Sequence, residues 1–161
     1  MISIKFETGE ELQLPLSGLA KSNLRGLELH RAMFDGLDVA EADFTRANLR
    51  NASFNCSFLN GAVMNGALLM NANFSGAKMR FVQLVEAMAV YADFSCADLS
   101  MANLKDADIA GAKFVEADLR NVNVDVKRID GAVFSGAIYN DSTVWPKGFV
   151  PSKFGAVKVL D

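Results

Sequence analysis

The fifteen residues ADFSCADLSMANLKD, 92–106, repeat one five-residue pattern three times. Each unit places Ala first, Asp or Asn second and a bulky apolar residue third. Outward from this segment, every fifth residue from Leu19 to Tyr139 gives 25 central positions, of which 24 are bulky and apolar. Two residues before the central position stands Ala in 17 cases and Ser in three, and the last residue of the pentad is Gly in eight. The register never slips, so one structural unit recurs through most of the chain.

A period of five excludes both an α-helix and a simple β-strand. Five residues leave an α-helix about 140° out of phase, and an odd period moves the apolar side chains of a strand to the other face at each repeat. The two inward positions of one pentad are only two residues apart, which is the spacing of a strand. Each pentad therefore combines a short extended piece with a turn. Gly at the turn supplies a positive φ without a Cβ penalty, and the Asn or Asp can bond to nearby backbone.

From Phe34 to Phe134, every fourth central position is a phenylalanine without exception. Four pentads per coil would stack these rings as one ladder inside a square solenoid, with mixed aliphatic side chains in the other three columns. The pentads then form about six coils, a rod roughly 30 Å long at a strand spacing of ~4.8 Å. The predicted ladder consists of Phe34, Phe54, Phe74, Phe94, Phe114 and Phe134.

The pentads ANLRN (47–51), ANFSG (72–76) and ADLRN (117–121) resemble the pentapeptide-repeat family. The resemblance covers residues 17–141 and implies an all-β fold, the right-handed quadrilateral parallel β-helix, which agrees with the coil of four pentads. The segment YNDSTVWPKGF (139–149) is also similar to tails of cyanobacterial members of the family, which hints at the source.

The first position of the pentad, which is usually Ala or Ser, carries a larger residue in five repeats. Four of them are Leu27, Leu37, Val82 and Val122, and the fifth is Lys127. A charged ammonium group cannot remain dry inside a packed core. We therefore expect the coil to distort near residues 126–128, or the Lys127 side chain to reach solvent.

Both ends of an open solenoid need covering, because they expose unpaired backbone groups and apolar side chains. Residues 1–16 alternate apolar and polar around a turn, which predicts an N-terminal cap formed by a hairpin or an incomplete first coil. Residues 142–161 leave the register, and we expect Trp145 and Phe149 to lie over the last coil as a capping tail. The alternative, implied by dimeric members of the family, is that this tail pairs two chains end to end.

Charge and composition exclude several function classes. The net charge is −3 and the pI is near 5.2, whereas general binders of nucleic acid or of anionic membranes are basic. Half of the residues are hydrophobic, at 51%, which excludes intrinsic disorder. No apolar run reaches the ~18 residues of a membrane span, and no signal peptide is evident at the N-terminus. We therefore expect a cytoplasmic protein.

Residues capable of catalysis or metal binding are few and scattered. His30 is the single histidine, and it follows a central Leu, so it should face solvent. Cys56 and Cys96 should lie two coils apart, and twice the strand spacing gives a separation of about 9.6 Å. This separation exceeds the ~7 Å limit on the Cα–Cα distance of a disulfide. No cluster has metal-ligand spacing. Because a filled rod offers no cleft, we expect no catalytic residue, no metal, no cofactor and no small-molecule substrate.

A group of outward positions in mid-chain is apolar, although most outward positions are polar. In the four-pentad frame Leu68 stacks on Met88, and Met70 stacks on Val90. Contiguous apolar surface with a polar rim often marks a partner site, whereas scattered apolar side chains carry no function. The candidate interaction patch consists of Val63, Leu68, Met70, Val85, Met88 and Val90.

These observations favour a non-enzymatic scaffold, a rigid rod that binds a protein partner or its own copy. The alternative, implied by the family resemblance, is a DNA-mimicking modulator of DNA gyrase of the quinolone-resistance type. Mimicry of DNA requires dense acidic faces, whereas here 16 Lys and Arg offset 19 Asp and Glu.

Overall fold

The computed structural model describes residues 1–161, most of which form a parallel β-helix. Isolated parallel bridges each join one residue to the equivalent residue four pentads later, beginning with Asn23–Asp43 and continuing without interruption to Asp118–Ile138. Successive bridge residues are one pentad apart, so each coil of four pentads has four sides. This spacing equals the spacing of the phenylalanines in the sequence.

We number the four faces in chain order. Face 1 carries residues 32–34 and their equivalents on the other coils. In the same way, face 2 carries 37–39, face 3 carries 42–44 and face 4 carries 47–49. The middle residue of each triplet forms the bridge and points outward, whereas its two neighbours point inward and are almost all buried.

Neighbouring coils are joined by backbone hydrogen bonds on every face. On face 3, for example, Leu24 donates its N–H to Asp43 O at 2.8 Å, and Asp43 donates its N–H to Ser22 O at 2.9 Å. The inward side chains form one continuous core of 44 buried residues along the rod. Alanine at the first position lets the backbone wrap closely around the larger central side chain.

The corners between faces require a left-handed backbone conformation. At every fifth residue from Lys21 to Gly136, with one exception, φ lies between 54° and 70°. Eight of these residues are glycine, which adopts this region without strain, and the other fifteen are not. The corner is therefore imposed by the coil, and glycine occupies only a third of the positions.

The six phenylalanine rings of face 1 stack along the axis of the rod. Successive ring centroids are 4.6–5.2 Å apart, and the ring planes lie within 11° of parallel. Phe44, from face 3, meets Phe34 and Phe54 edge-on at 5.6 and 5.8 Å. All of these rings are fully buried.

The coil is irregular between Val124 and Arg128, as the charged small position predicted. Val126 is the one corner residue without a positive φ, and its N–H donates to Val124 O at 2.7 Å. Lys127 donates its N–H to Ala107 O at 2.9 Å, a bond that Arg128 would make in the regular pattern. The resulting bulge turns the Lys127 side chain out to solvent, so the expectation for this residue is confirmed.

The N-terminal residues form an antiparallel hairpin of β1 (Ile2–Phe6) and β2 (Glu11–Leu14). Strand β1 also pairs antiparallel with β3 (Ala32–Met33), so the hairpin extends face 1 beyond the first coil. The Ile4 side chain is buried in the core, and Leu14 is partly buried against the same core. The sheet order β2-β1-β3 leaves β2 as the edge strand.

The C-terminal residues add one further parallel strand to face 2. Strand β4 (Ile138–Tyr139) pairs with β5 (Val157–Lys158), which follows a 3₁₀ helix at Pro151–Phe154. The last bridge, Asn123–Val144, is one position longer than the others, so the final coil contains one extra residue. No helix in the structure has the length and apolar character that crossing a membrane requires.

Two aromatic residues of the tail cover the last ring of the ladder. The Trp145 and Phe149 rings lie 5.3 and 5.7 Å from the Phe134 ring, both at steep angles. Tyr139 contacts Trp145 edge-on at 5.6 Å. The last ring of the ladder is therefore covered by aromatic side chains and fully buried.

Candidate interaction surface

Outward Asn and Asp side chains bond to the corners of the coil. At eleven bridge positions the side-chain Oδ1 accepts the backbone N–H of the residue two positions later, for example Asn73 from Ser75 at 2.9 Å. The local bonds expected of these residue types are therefore confirmed. Each such bond gives the N–H of the residue just before the corner an acceptor from the chain itself.

The apolar residues of face 4 cannot supply this bond. Leu68 and Met88 are bridge partners on adjacent coils. The backbone N–H groups two residues later, at Met70 and Val90, have no acceptor in the chain. The surface here combines apolar side chains with two free backbone donors.

The six residues of the candidate patch are exposed to different degrees. Met88 is the most open, with 41% of its surface accessible, whereas the other five are half-buried. Tyr91, at the corner beyond Val90, is 67% exposed. Its ring lies over Gly111 on the next coil, where an added Cβ would meet the ring at 2.3 Å. The exposed part of this surface therefore centres on Met88 and Tyr91.

Polar residues flank the patch at both of its ends on face 4. Towards the N-terminus, the Asn48 amide donates to Glu28 at 2.6 Å. Towards the C-terminus, Arg128 pairs with Asp108 at 3.0 Å. A groove of about 470 Å³ runs beside Met88 at the corner of faces 3 and 4, and it is lined by Glu86, Ala87, Met88, Asp106, Asp108 and Lys127.

Arginine side chains hold two carboxylates of the rod in the charged form. Burial alone would raise the pKa of Asp118, but the hydrogen bonds and charge of Arg120 outweigh it and bring the pKa below its usual value. The pKa of Asp43 is lowered in the same way, because hydrogen bonds from Thr45 and Arg25 outweigh the effect of burial. These carboxylates are paired within the chain.

The residues considered for catalysis or metal binding are not gathered into a site. His30 is exposed, with its Nε2 3.1 Å from the Asn51 amide. Cys56 and Cys96 are exposed free thiols. No group of three His, Cys, Asp or Glu residues is close enough to hold a metal ion.

The family model "Pentapeptide repeats (8 copies)" matches residues 19–51, 42–80, 67–106 and 90–124. The chain belongs to the pentapeptide-repeat family. Structures of this family are right-handed quadrilateral β-helices, which gives the hand of the coil described above. Its members are generally non-enzymatic structural or interaction proteins. No curated protein sequence matches this pentapeptide-repeat protein.

Solved structures similar to this pentapeptide-repeat protein include three relatives. A trypsin-treated form of QnrB1, a plasmid-mediated fluoroquinolone resistance protein, is 16% identical with a TM-score of 0.55, over 80% of this chain and 77% of that one. A pentapeptide repeat protein of the Arabidopsis thaliana thylakoid lumen is 28% identical with a TM-score of 0.47, over 73% and 68%. HetL, involved in heterocyst differentiation in Nostoc, is 20% identical with a TM-score of 0.34, over 89% and 84%.

Sequence reasoning missed one exposed group on face 2 of this pentapeptide-repeat protein. Phe58, a bridge residue, and Phe81, a corner residue, are each about half exposed, at 49% and 50%. Phe58 replaces the usual Asn or Asp, which was a visible signal. The degree of exposure was not visible, because it depends on which side chains stand above and below on neighbouring coils.

Proposed function

We propose that this protein is a non-enzymatic interaction scaffold that binds a protein partner, or a second copy of itself, through the patch on face 4. The observation that carries the proposal is the pairing of Leu68 with Met88 at two stacked bridge positions. Eleven equivalent positions carry an Asn or Asp that accepts the N–H two residues later, whereas Leu68 and Met88, like Phe58 and Val63, leave that N–H without an acceptor in the chain. Apolar surface beside unpaired donors suits a protein partner that supplies both contacts.

A comparison of variants that each introduce two negative charges tests this proposal. Purified Leu68→Asp/Met88→Asp is compared with wild type and with Asn73→Asp/Asn123→Asp, which adds the same two charges at bridge positions on faces 1 and 3. Affinity capture from the source organism and sedimentation velocity are measured for all three. We expect the patch variant alone to lose its bound protein or its self-association. If it retains the same partners and the same oligomeric state, the proposal is wrong.

End-to-end self-association through the tail is a second candidate. The observation in its favour is that large apolar side chains of residues 150–160 remain exposed after the tail has folded onto the last coil, namely Val150, Phe154, Val157 and Leu160. We expect Phe154→Asp to abolish any dimer seen by sedimentation velocity while the monomer stays folded by circular dichroism, although loss of the Phe149 contact lowers its melting temperature. A dimer that survives this substitution would contradict end-to-end pairing.

The gyrase-modulator alternative has less support from the charge distribution. Several acidic side chains of the rod are paired with basic ones on adjacent coils, as in Arg25–Asp43, Lys113–Asp93 and Arg128–Asp108. The likeness to QnrB1, at 16% identity, concerns the fold. We expect DNA supercoiling by purified gyrase to be unchanged at large molar excess of this protein. Inhibition of supercoiling, or protection of gyrase from a quinolone, would favour the gyrase modulator over the interaction scaffold.

The architecture that we propose for this function is a β-helix of about six coils over residues 17–141. Residues 1–16 act as the N-terminal cap and residues 142–161 as the C-terminal capping tail, supported by the contacts of Ile4 with the core and of Trp145 with Phe134. Two exposed free thiols suit a reducing compartment, so we propose a cytoplasmic location.

A further inference from the structure

The middle of the chain contains no acidic residue. Between Asp43 and Glu86 the sequence has neither Asp nor Glu, and the same stretch contains four basic residues, Arg46, Arg50, Lys78 and Arg80. Because a coil takes four pentads, this segment encircles the rod about twice. A positively charged belt therefore surrounds the middle of a protein whose net charge is −3.

Two of these cations lie beside the half-exposed phenylalanines of face 2. Phe58 and Lys78 are bridge partners on adjacent coils. The Arg80 guanidinium carbon is 5.5 Å from the centroid of the Phe81 ring, within the range of a cation–π contact. The Arg80 backbone N–H is held by Asn60 Oδ1 at 2.9 Å, so this corner is anchored to the preceding coil. Apolar and cationic groups thus share one small surface.

Neither cation is neutralised by an ion pair within the chain. Lys78 and Arg80 take part in none of the seven ion pairs. The carboxylates on the next coils of face 2 are near these cations but have closer partners. Asp98, the bridge partner of Lys78, accepts the Ser100 hydroxyl at 2.7 Å, and Asp118, whose pKa the charge of Arg80 also lowers, pairs with Arg120 at 2.6 Å.

We propose that face 2 binds an extended acidic peptide segment at Phe58, Lys78, Arg80 and Phe81. Side chains of an extended segment alternate in direction, with those on one side about 6.8 Å apart. Phe58 and Phe81 lie on neighbouring coils, about 4.8 Å apart along the axis. Apolar side chains of the segment pack on the two rings, and its carboxylates meet Lys78 and Arg80, whose guanidinium can take a carboxylate through two hydrogen bonds.

The charge pattern favours an acidic peptide over single-stranded nucleic acid. A nucleic-acid groove tracks many phosphates with a continuous row of cations. Here only two cations without an ion-pair partner stand together, because the neighbouring Arg120 is paired with Asp118. Asp98 and Asp118 lie further along the same face, where they would repel a continuing phosphate chain. One or two carboxylates can be accommodated within the short basic surface.

Fluorescence polarisation tests the site with defined probes. The probes are a labelled short peptide in which phenylalanine and glutamate alternate, the same peptide with lysine for glutamate, and a labelled oligothymidylate of the same number of units. We expect the glutamate peptide to bind at least tenfold more tightly than the lysine peptide, and binding to weaken as salt is added.

Matched variants separate this site from other surfaces. Lys78→Glu/Arg80→Glu should weaken binding of the glutamate peptide at least tenfold, whereas Arg46→Glu/Arg50→Glu, with the same charge change in the same belt, should change it less than threefold. Phe58→Ser/Phe81→Asn should also weaken binding at least tenfold. Circular dichroism and thermal unfolding establish that each variant is folded before binding is compared.

The outcomes distinguish this proposal from the scaffold proposal for face 4. Leu68→Asp/Met88→Asp should bind the glutamate peptide as wild type does, whatever becomes of its other partners. Equal binding of the glutamate and lysine peptides, or glutamate-peptide binding that neither face 2 variant weakens, would overturn the proposal. Tighter binding of oligothymidylate through Lys78 and Arg80 would overturn it in favour of nucleic acid.

Discussion

Replacing Phe74 by alanine tests the ladder at its centre. The ring is fully buried and lies 4.9 Å from Phe54 and 5.0 Å from Phe94. Loss of its buried apolar surface costs about 2–3 kcal/mol, and each lost ring contact costs about 0.5–1.5 kcal/mol. Backbone hydrogen bonds hold the coils on either side apart, so the cavity cannot close. We expect a loss of about 3–5 kcal/mol in the free energy of unfolding, the range of large-to-small core substitutions.

Two control substitutions are compared with the loss of stability in Phe74→Ala. Phe58→Ala removes the same ring from an outward, half-exposed position on face 2 and should cost about 1 kcal/mol or less. Asn73→Ala removes the bond to the Ser75 N–H, 2.9 Å long, and should cost about 0.5–1.5 kcal/mol. The three variants therefore distinguish inward from outward positions, and Phe74→Ala and Phe58→Ala do so with the same change of side chain.

Urea unfolding provides the assay. Far-UV circular dichroism follows the strands of the whole rod, and the fluorescence of Trp145, the single tryptophan, follows its C-terminal end. Coincident transitions are required for a two-state value, since repeat proteins can unfold in parts. Equal losses for Phe74→Ala and Phe58→Ala would refute the inward and outward assignment of the pentad.

Two further predictions concern a corner and a carboxylate. Gly111→Ala should destabilise the protein more than Gly26→Ala, because both positions have positive φ but only at Gly111 would the new Cβ meet the Tyr91 ring. In thermal unfolding, this additional destabilisation should vanish when Tyr91 is also changed to alanine. If it persists, the strain lies in the backbone. Burial raises and Arg120 lowers the pKa of Asp118, with a net lowering, so the carboxylate stabilises the fold above the unfolded pKa of about 4 and this stabilisation is lost as pH falls through the lower folded value. The difference in stability between wild type and Asp118→Asn should therefore be largest near neutral pH and disappear well below pH 4, and a difference independent of pH would contradict the role of the charge.

The inward half of the structure was accessible to sequence reasoning because it is repeated. Each pentad must return the chain to the same orientation, so period and side-chain size together predict which residues point inward. The four-pentad spacing of the phenylalanines matches the spacing of the parallel bridges. The bulge at Lys127 was predictable for the same reason, since a charged group at an inward position has no stable place in a dry core.

The candidate surfaces were harder to predict from the sequence. Leu68 and Phe58 both occupy outward positions of the repeat, yet Leu68 is half-buried and Phe58 is 49% exposed. Exposure depends on the side chains of the coils above and below, which are four pentads away in the chain. The free N–H groups of Met70 and Val90 were equally hidden, because only the bonding pattern of the other corners shows that a bond is missing.

The sequence by itself determined the register of this protein, its four-sided coil and the identity of its inward residues, because these follow from local periodicity and from the cost of burying the wrong side chain. The tertiary structure decided the rest. Contacts between coils impose a positive φ on fifteen residues that are not glycine, set the exposure of each outward side chain, and bring Arg80 over Phe81. They also admit one extra residue before Val144 and bring Trp145 onto Phe134, since the end of a rod has no neighbouring repeat to dictate its packing.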